Sequence, residues 1–545
     1  MRRIFTTDDV AGWIRAGKEE VALGPEDRLT ELARETAVRR KLKIVRRTEE
    51  TAPPPPALPA IPAQAPPAPP PVAAARADSA AAAPVRRQPY SASPRADYDL
   101  IVKNGTVVLP ESGCLRVNVC VRDGRVAALT TRCPSARQEI DAAGLYVLPG
   151  IVDPHTHLGL FAPLEQELVT ETRSAILGGI TTIGTFFNQL GSYLPTLDLL
   201  EQKVPACSRV DMFPHLTLRE EAQLRELPLY SARGMNSFKV YMCGIPGLFP
   251  KQEDGFILRA MELLKRLDAD PLLCIHAENE SIVDYATADM DIPSIDTLEQ
   301  WARSHPDLAE GEAVLRSACF AGRMDLRTYL VHISCRDSIA ALRKIKHKRL
   351  FVETTSPYLS LDTSDPDVGV LGKMLPPFRT PESRQALWDA IRDGGIIDTI
   401  GTDNTTITSL EKQVSGGMGA AIAGYPAMGT HLVSVLNEGF FRQELPLDTL
   451  VPLMTMNPAR LFGIYPQKGT LLPGSDADMV LVDMGSRRQV DPAQLASRSD
   501  FSIFQGKTLR AWPCGTVKGG EIAAWQGRLT DDRPCGRILK HCMKE

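Results

Sequence analysis

No apolar run in this sequence reaches the roughly 18 residues that a membrane span needs, so no transmembrane helix is expected. The start, Met1-Arg-Arg-Ile-Phe-Thr-Thr-Asp-Asp9, lacks the apolar core of a secretory signal. A basic field for nucleic acid is missing as well. Lys and Arg total 62 against 66 Asp and Glu, and the two signs are mixed along the chain. There is no Cys-x-x-Cys pair, and the 11 cysteines are an odd number. That argues for reduced thiols in a cytosol-like compartment. Cys207, Cys243, Cys274 and Cys335 lie in or beside apolar strand-like runs, where a small buried hydrophobe is the plainer reading. The expectation is a cytoplasmic protein that engages neither nucleic acid nor membrane.

The 545 residues, 43% of them hydrophobic, suffice for one large domain with appendages. Residues 1–47 read as a small unit of two short helices. Thr6 or Thr7 caps a helix with Val10, Trp13 and Ile14 on one face. Pro25 opens a second helix with Leu29, Leu32, Ala33 and Ala37 on one stripe. Helices this short are marginal alone and favour a partner. Residues 48–97 are rich in Pro and Ala and cannot bury a core, so a disordered, extended linker is expected there. From Tyr98 to 144 short strands are joined by Asn-Gly and Asp-Gly turns, and similar strands return between 465 and 530. These two sets predict one small composite β-sandwich built from both ends of the chain. Residues 531–545 are left as a C-terminal tail.

Between them, residues 145–464 alternate strand runs with helical patterns. The strands read as 145–153, 179–187, 207–218, 237–243, 272–276, 329–334, 350–354 and 396–402, with helices such as 255–267 and 382–393 between. Eight strands alternating with helices over about 300 residues is the pattern of an α/β fold of the (β/α)8, TIM-like barrel type.

The C-terminal ends of barrel strands carry the chemistry. His155 and His157 sit in Gly150-Ile-Val-Asp-Pro-His-Thr-His157, two apart and therefore on one side of a strand. Taken alone, this pair is as readily two core or surface histidines as two metal ligands. Lys239 lies in the fourth strand, His276 ends the fifth, His332 lies in the sixth and Asp403 follows the eighth. Four of only nine histidines thus fall at strand ends. Neutral imidazole is the commonest metal ligand. Four His, one Asp and one Lys make two divalent sites if something anionic bridges them. A lysine ammonium has no lone pair to offer, whereas Lys239 carboxylated by CO2 would present two oxygens. The plainer alternative for Lys239 alone is a buried cation paired with Asp403 or a nearby Glu; the set of six favours the bridge.

With these motifs in place, residues 98–530 resemble the cyclic amidohydrolases: dihydropyrimidinase, hydantoinase, allantoinase and dihydroorotase. The likeness rests on Gly-Ile-Val-Asp-Pro-His-Thr-His, Ser-Phe-Lys-Val-Tyr-Met, His-Ala-Glu-Asn, Val-His-Ile-Ser-Cys, Pro376-Pro-Phe-Arg379, Gly-Thr-Asp-Asn, Asn457-Pro-Ala-Arg and Gly474-Ser-Asp-Ala-Asp478, in family order. The resemblance implies two divalent ions, taken as zinc. His155, His157 and Asp403 would hold one, His276 and His332 the other, and N6-carboxylated Lys239 would bridge them. It implies attack by a metal-bridging hydroxide on the ring carbonyl, with Asp403 as the catalytic base that returns the proton to the leaving nitrogen. It also implies a homotetramer. Separately, residues 1–47 resemble the leader of some accessory proteins of bacterial microcompartments, in an Ile/Thr start, Asp9-Val10 and Gly24-Pro25. That implies docking to a shell or cargo partner inside such a compartment.

The substrate shell departs from the family. The position where a dihydroorotase-like His-x-His-x-Arg grips a carboxylate is Gly159, and the residue after the eighth-strand Asp is Asn404 rather than His. The tyrosine expected five residues after the lysine is Gly244, with Tyr241 near in sequence. Leu375 precedes the Pro-Pro-x-Arg motif, and the loop after the eighth strand reads Ser415-Gly-Gly-Met-Gly-Ala-Ala421. Tyr241, Leu375 and Ser415 are the expected substrate contacts. The expected substrate is a small cyclic amide: a dihydropyrimidine, hydantoin or cyclic imide. The alternatives are an allantoinase- or dihydroorotase-like hydrolase, and a catalytically silent dihydropyrimidinase-like scaffold.

Overall fold

The computed structural model describes residues 96–245 and 248–541, together with scattered residues between 4 and 46. The chain divides into two compact units, residues 1–84 with 246–248, and residues 85–245 with 249–545. The expected linker, 48–97, lies outside the described residues except for its last two positions.

In the first unit, Val10, Trp13 and Ile14 are helical as expected, and Val10, Ala37 and Leu42 form a small buried core. The purely helical expectation is corrected, however. Glu20–Leu23 pairs in parallel with Lys43–Arg46, and Ile4–Phe5 with Arg28–Leu29. Leu29 is therefore in a strand, and Leu32 and Ala33 lie outside the described residues. The signal was short: in Glu20–Leu23 only the alternate residues Val21 and Leu23 turn inward, the period of a strand.

The second unit is organised by a parallel sheet. Its strands run Ile151–His157, Ile180–Phe187, Asp211–Thr217, Ser237–Tyr241, Leu272–His276, Arg327–Leu330, Leu350–Thr355 and Thr399–Gly401, each paired with the next. After two intervening residues, Asn404–Thr405 pairs with the first strand, so the eighth strand closes the barrel in two pieces. Parallel strands buried on both faces read as continuous apolar runs, which is why all eight were visible. The helices between follow the expected pattern. Asp254–Lys265 buries Ile257, Ala260, Met261 and Leu264, at helical spacing.

The run 145–153 is not one strand. Tyr146–Pro149 pairs antiparallel with Met479–Gln489 in the sandwich, and the barrel begins at Ile151. The break is Gly150, where a Cβ would collide with the Thr181 side chain. The sandwich joins a four-stranded sheet to a seven-stranded sheet that draws strands from both chain ends. Val107, Val119, Val121, Met479, Leu481 and Val517 meet in its core.

Residues 531–541 are not a loose tail. Met212 N–H donates to Arg537 (2.9 Å), Leu539 N–H donates to Met212 (2.8 Å), and Leu539 packs with Val152, Phe213 and Phe462. Beside this seam is a buried charge cluster. Lys468 contacts Asp211, Asp476 (2.9 Å) and Asp478 (2.6 Å), while Lys518 and Arg537 reach Asp211 at 2.9 Å each. Burial opposes charge on Asp211, but Lys518 and Lys468 outweigh it and hold its carboxyl well below the usual range. Lys468→Met leaves these carboxylates under-compensated and is expected to destabilise the fold by about 3–5 kcal/mol, read as a lower denaturant midpoint. A midpoint within experimental error of wild type would show that the cluster contributes nothing.

Candidate active site

The six expected groups meet at the C-terminal mouth of the barrel, and all six are buried. His155 and His157 belong to the first strand itself and project to one side of it. Their Nε2 atoms each lie 3.2 Å from Asp403 Oδ1. His155, His157 and Asp403 present ligand atoms within 4.8 Å of one another, a cluster fit to hold a metal ion. On the other side, His276 Nδ1 lies 3.0 Å from His332 Nε2. The halves adjoin: the His155 and His332 ring centroids are 5.5 Å apart. Lys239 Nζ sits between them, 4.7 Å from the Phe186 ring that packs on His155 and 4.9 Å from the Tyr241 ring that packs on His276.

Two of these groups have left-handed backbone: His332 at φ 45° and Asp403 at φ 54°. Non-glycine residues rarely adopt it, and it costs roughly 1–3 kcal/mol. Asp403 breaks the eighth strand there. Asp153 ties the break to the first strand, accepting from Thr402 N–H (3.0 Å), Thr402 Oγ1 (2.6 Å) and His155 N–H (3.2 Å).

Around the ligand candidates stand residues that sequence reasoning missed. Glu353, in the seventh strand, faces His155 Nδ1 at 2.8 Å and accepts from His332 N–H at 3.0 Å, so it links both halves. Burial, then the neighbouring Asp403, pushes its carboxyl up to about 8. Glu278 faces His276 Nε2 at 3.0 Å, and Arg379 stands 3.8 Å from Glu278 while donating to Ser334 Oγ at 2.9 Å. A charged residue inside an otherwise apolar strand was the available signal for Glu353. For Glu278 it was its place two residues after His276.

These partners leave His155 Nε2 and His276 Nδ1 turned inward. Burial holds His155 and His332 well below imidazole's usual value, against the pull of Asp403 on His155. Neutral imidazole is the ligand form. Asp403 is held below the usual carboxylate range: burial opposes this, but His155 and His157 outweigh it. Lys239 is fully buried, and its Nζ has no hydrogen-bond partner among the described residues. Burial lowers it to about 8. The plainer alternative, an ammonium paired with a carboxylate, is therefore not what is found. His157 Nδ1 and His332 Nδ1 are likewise buried without hydrogen-bond partners among the described residues, and His155 Nε2, 3.2 Å from Asp403 Oδ1, makes no well-aligned hydrogen bond there. Buried polar atoms left unpaired are costly, and this donor set fits metal ions.

The sequence profile of the amidohydrolase family matches residues 146–523. The chain belongs to the amidohydrolase family. Its relatives place it with the cyclic amidohydrolases, as the motifs implied. An L-hydantoinase of Paenarthrobacter aurescens is 30% identical over 81% of this chain and 98% of that protein. A D-hydantoinase of Ralstonia pickettii is 28% identical with the same coverage. Among solved structures, the dihydropyrimidinase of Brevibacillus agri superposes with a TM-score of 0.74 at 28% identity, covering 81% of this chain and 98% of that one. The L-hydantoinase of Arthrobacter aurescens gives 0.75 at 28% identity, over 81% and 100%. The barrel fold and enzyme class read from the sequence are thereby borne out.

The expected substrate contacts are placed unevenly. Tyr241 is at the site, its ring 5.4 Å from that of His276 and stacked on Phe249 at 4.8 Å. Leu375 is buried and joined to Pro376 by a cis peptide. Ser415 is exposed in a short turn, Val414–Gly416. The part of that loop which lies along the eighth strand comes later: Thr405 N–H donates to Tyr425 O (2.9 Å), and Ala427 N–H donates to Asn404 Oδ1 (2.8 Å).

Glu353→Gln keeps the side chain's shape while removing its charge. Because residues that orient a metal-ligating histidine typically contribute 10–100-fold to metal affinity, a loss of about that size is expected, measured by chelator competition. Unchanged affinity would remove Glu353 from the site.

Proposed function

We propose that this chain hydrolyses a ring C–N bond of a neutral cyclic amide: a hydantoin, dihydropyrimidine or cyclic imide. The observation that carries this is the convergence of His155, His157, Lys239, His276, His332 and Asp403, with Lys239 Nζ, His157 Nδ1 and His332 Nδ1 buried and without hydrogen-bond partners among the described residues. His155, His157 and Asp403 would hold one divalent ion and His276 and His332 a second, with carboxylated Lys239 bridging; zinc suits these N and O ligands. When bound, such ions lower the pKa of water and polarise a carbonyl. The chain's own residues do the rest. Asp403 Oδ1 lies 3.2 Å from both first-strand histidines and would take a proton from the attacking water and pass it to the leaving nitrogen. Glu353 and Glu278 fix the imidazole orientations. Tyr241 offers an aromatic wall. Among the described residues none bonds the backbone N–H or C=O of Leu375, while the carbonyls of Met374 and Pro376 are taken by Trp301 and Tyr358. Leu375 is thus suited to bind a ring amide through its backbone.

A carboxylated substrate is disfavoured. Gly159, where an arginine would grip it, donates its N–H to buried Glu167 at 2.7 Å. A silent scaffold is disfavoured by retention of all six groups. The test is a screen of hydantoins, dihydropyrimidines, allantoin and cyclic imides on zinc-loaded protein, with metal analysis. Ring opening with about two zinc per chain is expected. Protein that binds no metal after careful loading would support the scaffold reading instead.

Residues 1–47 are proposed, on their sequence pattern and the Pro/Ala-rich stretch that follows, to dock on a microcompartment shell or cargo protein. Deleting residues 1–90 should abolish co-purification with shell proteins and spare activity; unchanged co-purification would defeat the idea. A homotetramer is proposed on the family resemblance, with light scattering as its test. No helix among the described residues is long and apolar enough to cross a membrane.

A further inference from the structure

Three tyrosines, Tyr241, Tyr358 and Tyr425, stand close enough to Asp403 to feel its charge. They are not equivalent. Tyr358 donates its hydroxyl to the Pro376 carbonyl and so braces the Pro-Pro-Phe-Arg segment. Tyr425 is fully buried, and its hydroxyl has no hydrogen-bond partner among the described residues. The direction of its ring is fixed from two sides. The backbone is held against the eighth strand by the bond from Thr405 N–H, two residues from Asp403. The ring stacks on Phe378 at 5.8 Å and 15°. A buried phenol donor on a segment paired with the eighth strand, with no acceptor among the described residues, lowers the stability of the fold. Groups kept at such a cost cluster where a ligand will use them.

We infer that the Tyr425 hydroxyl is a hydrogen-bond donor to a carbonyl oxygen of the substrate ring, an inference that rests on the ring-opening reading above. A neutral donor suits a neutral acceptor such as a ureide or imide oxygen. It also supplies a donor that Gly244, having no side chain, does not.

Tyr425→Phe removes the hydroxyl and nothing else. If the hydroxyl serves substrate, kcat/KM for the best ring substrate of the wild type falls about 10–100-fold, mostly through KM, because a bound carbonyl loses its donor. Zinc content stays the same, and Tm is equal to wild type or higher, since an unpaired buried donor has gone. Tyr358→Phe is the contrast: it breaks a bond within the fold and lowers Tm. Three results would overturn the inference. Tyr425→Phe with kcat/KM within twofold of wild type would mean that the hydroxyl holds a buried water. A lowered Tm would make it structural, and lost zinc would make it part of the metal site. Wild-type protein that opens none of the rings refutes the ring-opening reading itself and this inference with it, and that failure is read in a separate assay.

Discussion

Lys239→Ala is expected to lose metal and ring-opening activity together, with kcat/KM down at least about a thousandfold. The reason is electrostatic. Two divalent ions about 4 Å apart repel by roughly 16 kcal/mol at an effective dielectric of 20. The imidazoles of His155, His157, His276 and His332 are neutral ligands and cannot offset that. Asp403 supplies one negative charge, and a second anion is required between the halves. Lys239 Nζ lies between Phe186 and Tyr241, the two rings that pack against opposite halves of the site. It makes no hydrogen bond to the described residues, so its loss removes no hydrogen bond of the amine. Because alanine leaves a cavity, Lys239→Met is the second variant: it fills the space, should fold normally, and should be equally inactive. Acetate or propionate with added zinc should restore part of the Lys239→Ala activity by supplying carboxylate oxygens. A Lys239→Ala protein that holds its metals and opens rings would end the bridging role.

How much of this was legible beforehand follows from where the constraint lies. The barrel strands were readable because both faces are buried, and Leu272–His276 was bounded as it stands. The seam at Gly150 was not, because Tyr146–Pro149 and Ile151–His157 are equally apolar and only the third dimension assigns one to the sandwich and one to the barrel. The docking of residues 531–541 was illegible for a similar reason: Ile538 and Leu539 are a short apolar pair in a mostly polar stretch, and their place under the barrel depends on Met212, more than three hundred residues away. In the first unit, four-residue strands gave too short a period to outweigh the helical pattern around Val10 and Ala37.

The ligand candidates were legible because histidines are rare here and each lies at a strand end. Their supports were not. Glu353 acts on His155 and His332, which other strands hold, a relation that spacing along one chain does not encode. Ser415 lies exposed in a short turn, and the loop after the eighth strand doubles back beyond it. Lys412 Nζ gathers the carbonyls of Lys373, Ile422 and Gly424, and the segment returned to the strand is Gly424 to Met428 rather than the glycine-rich turn.

Asp403→Asn separates two duties placed on one side chain. Asparagine keeps the shape and one oxygen, but loses the charge and the capacity to take a proton. If Asp403 carries the proton, it would account for about 10²–10⁴-fold of the rate, and a fall of that size in kcat is expected. As a ligand, it contributes charge to the cluster with His155 and His157, so metal affinity should fall as well. The two effects part under saturating zinc. If the Asp403→Asn protein binds its metals there and is still slow, the proton role stands alone. If rate returns with zinc, the residue is a ligand and another group carries the proton. A variant within tenfold of wild type at ordinary zinc would remove both duties, and the left-handed backbone at Asp403, which turns this carboxylate toward His155 and His157, would be left without a function to explain it.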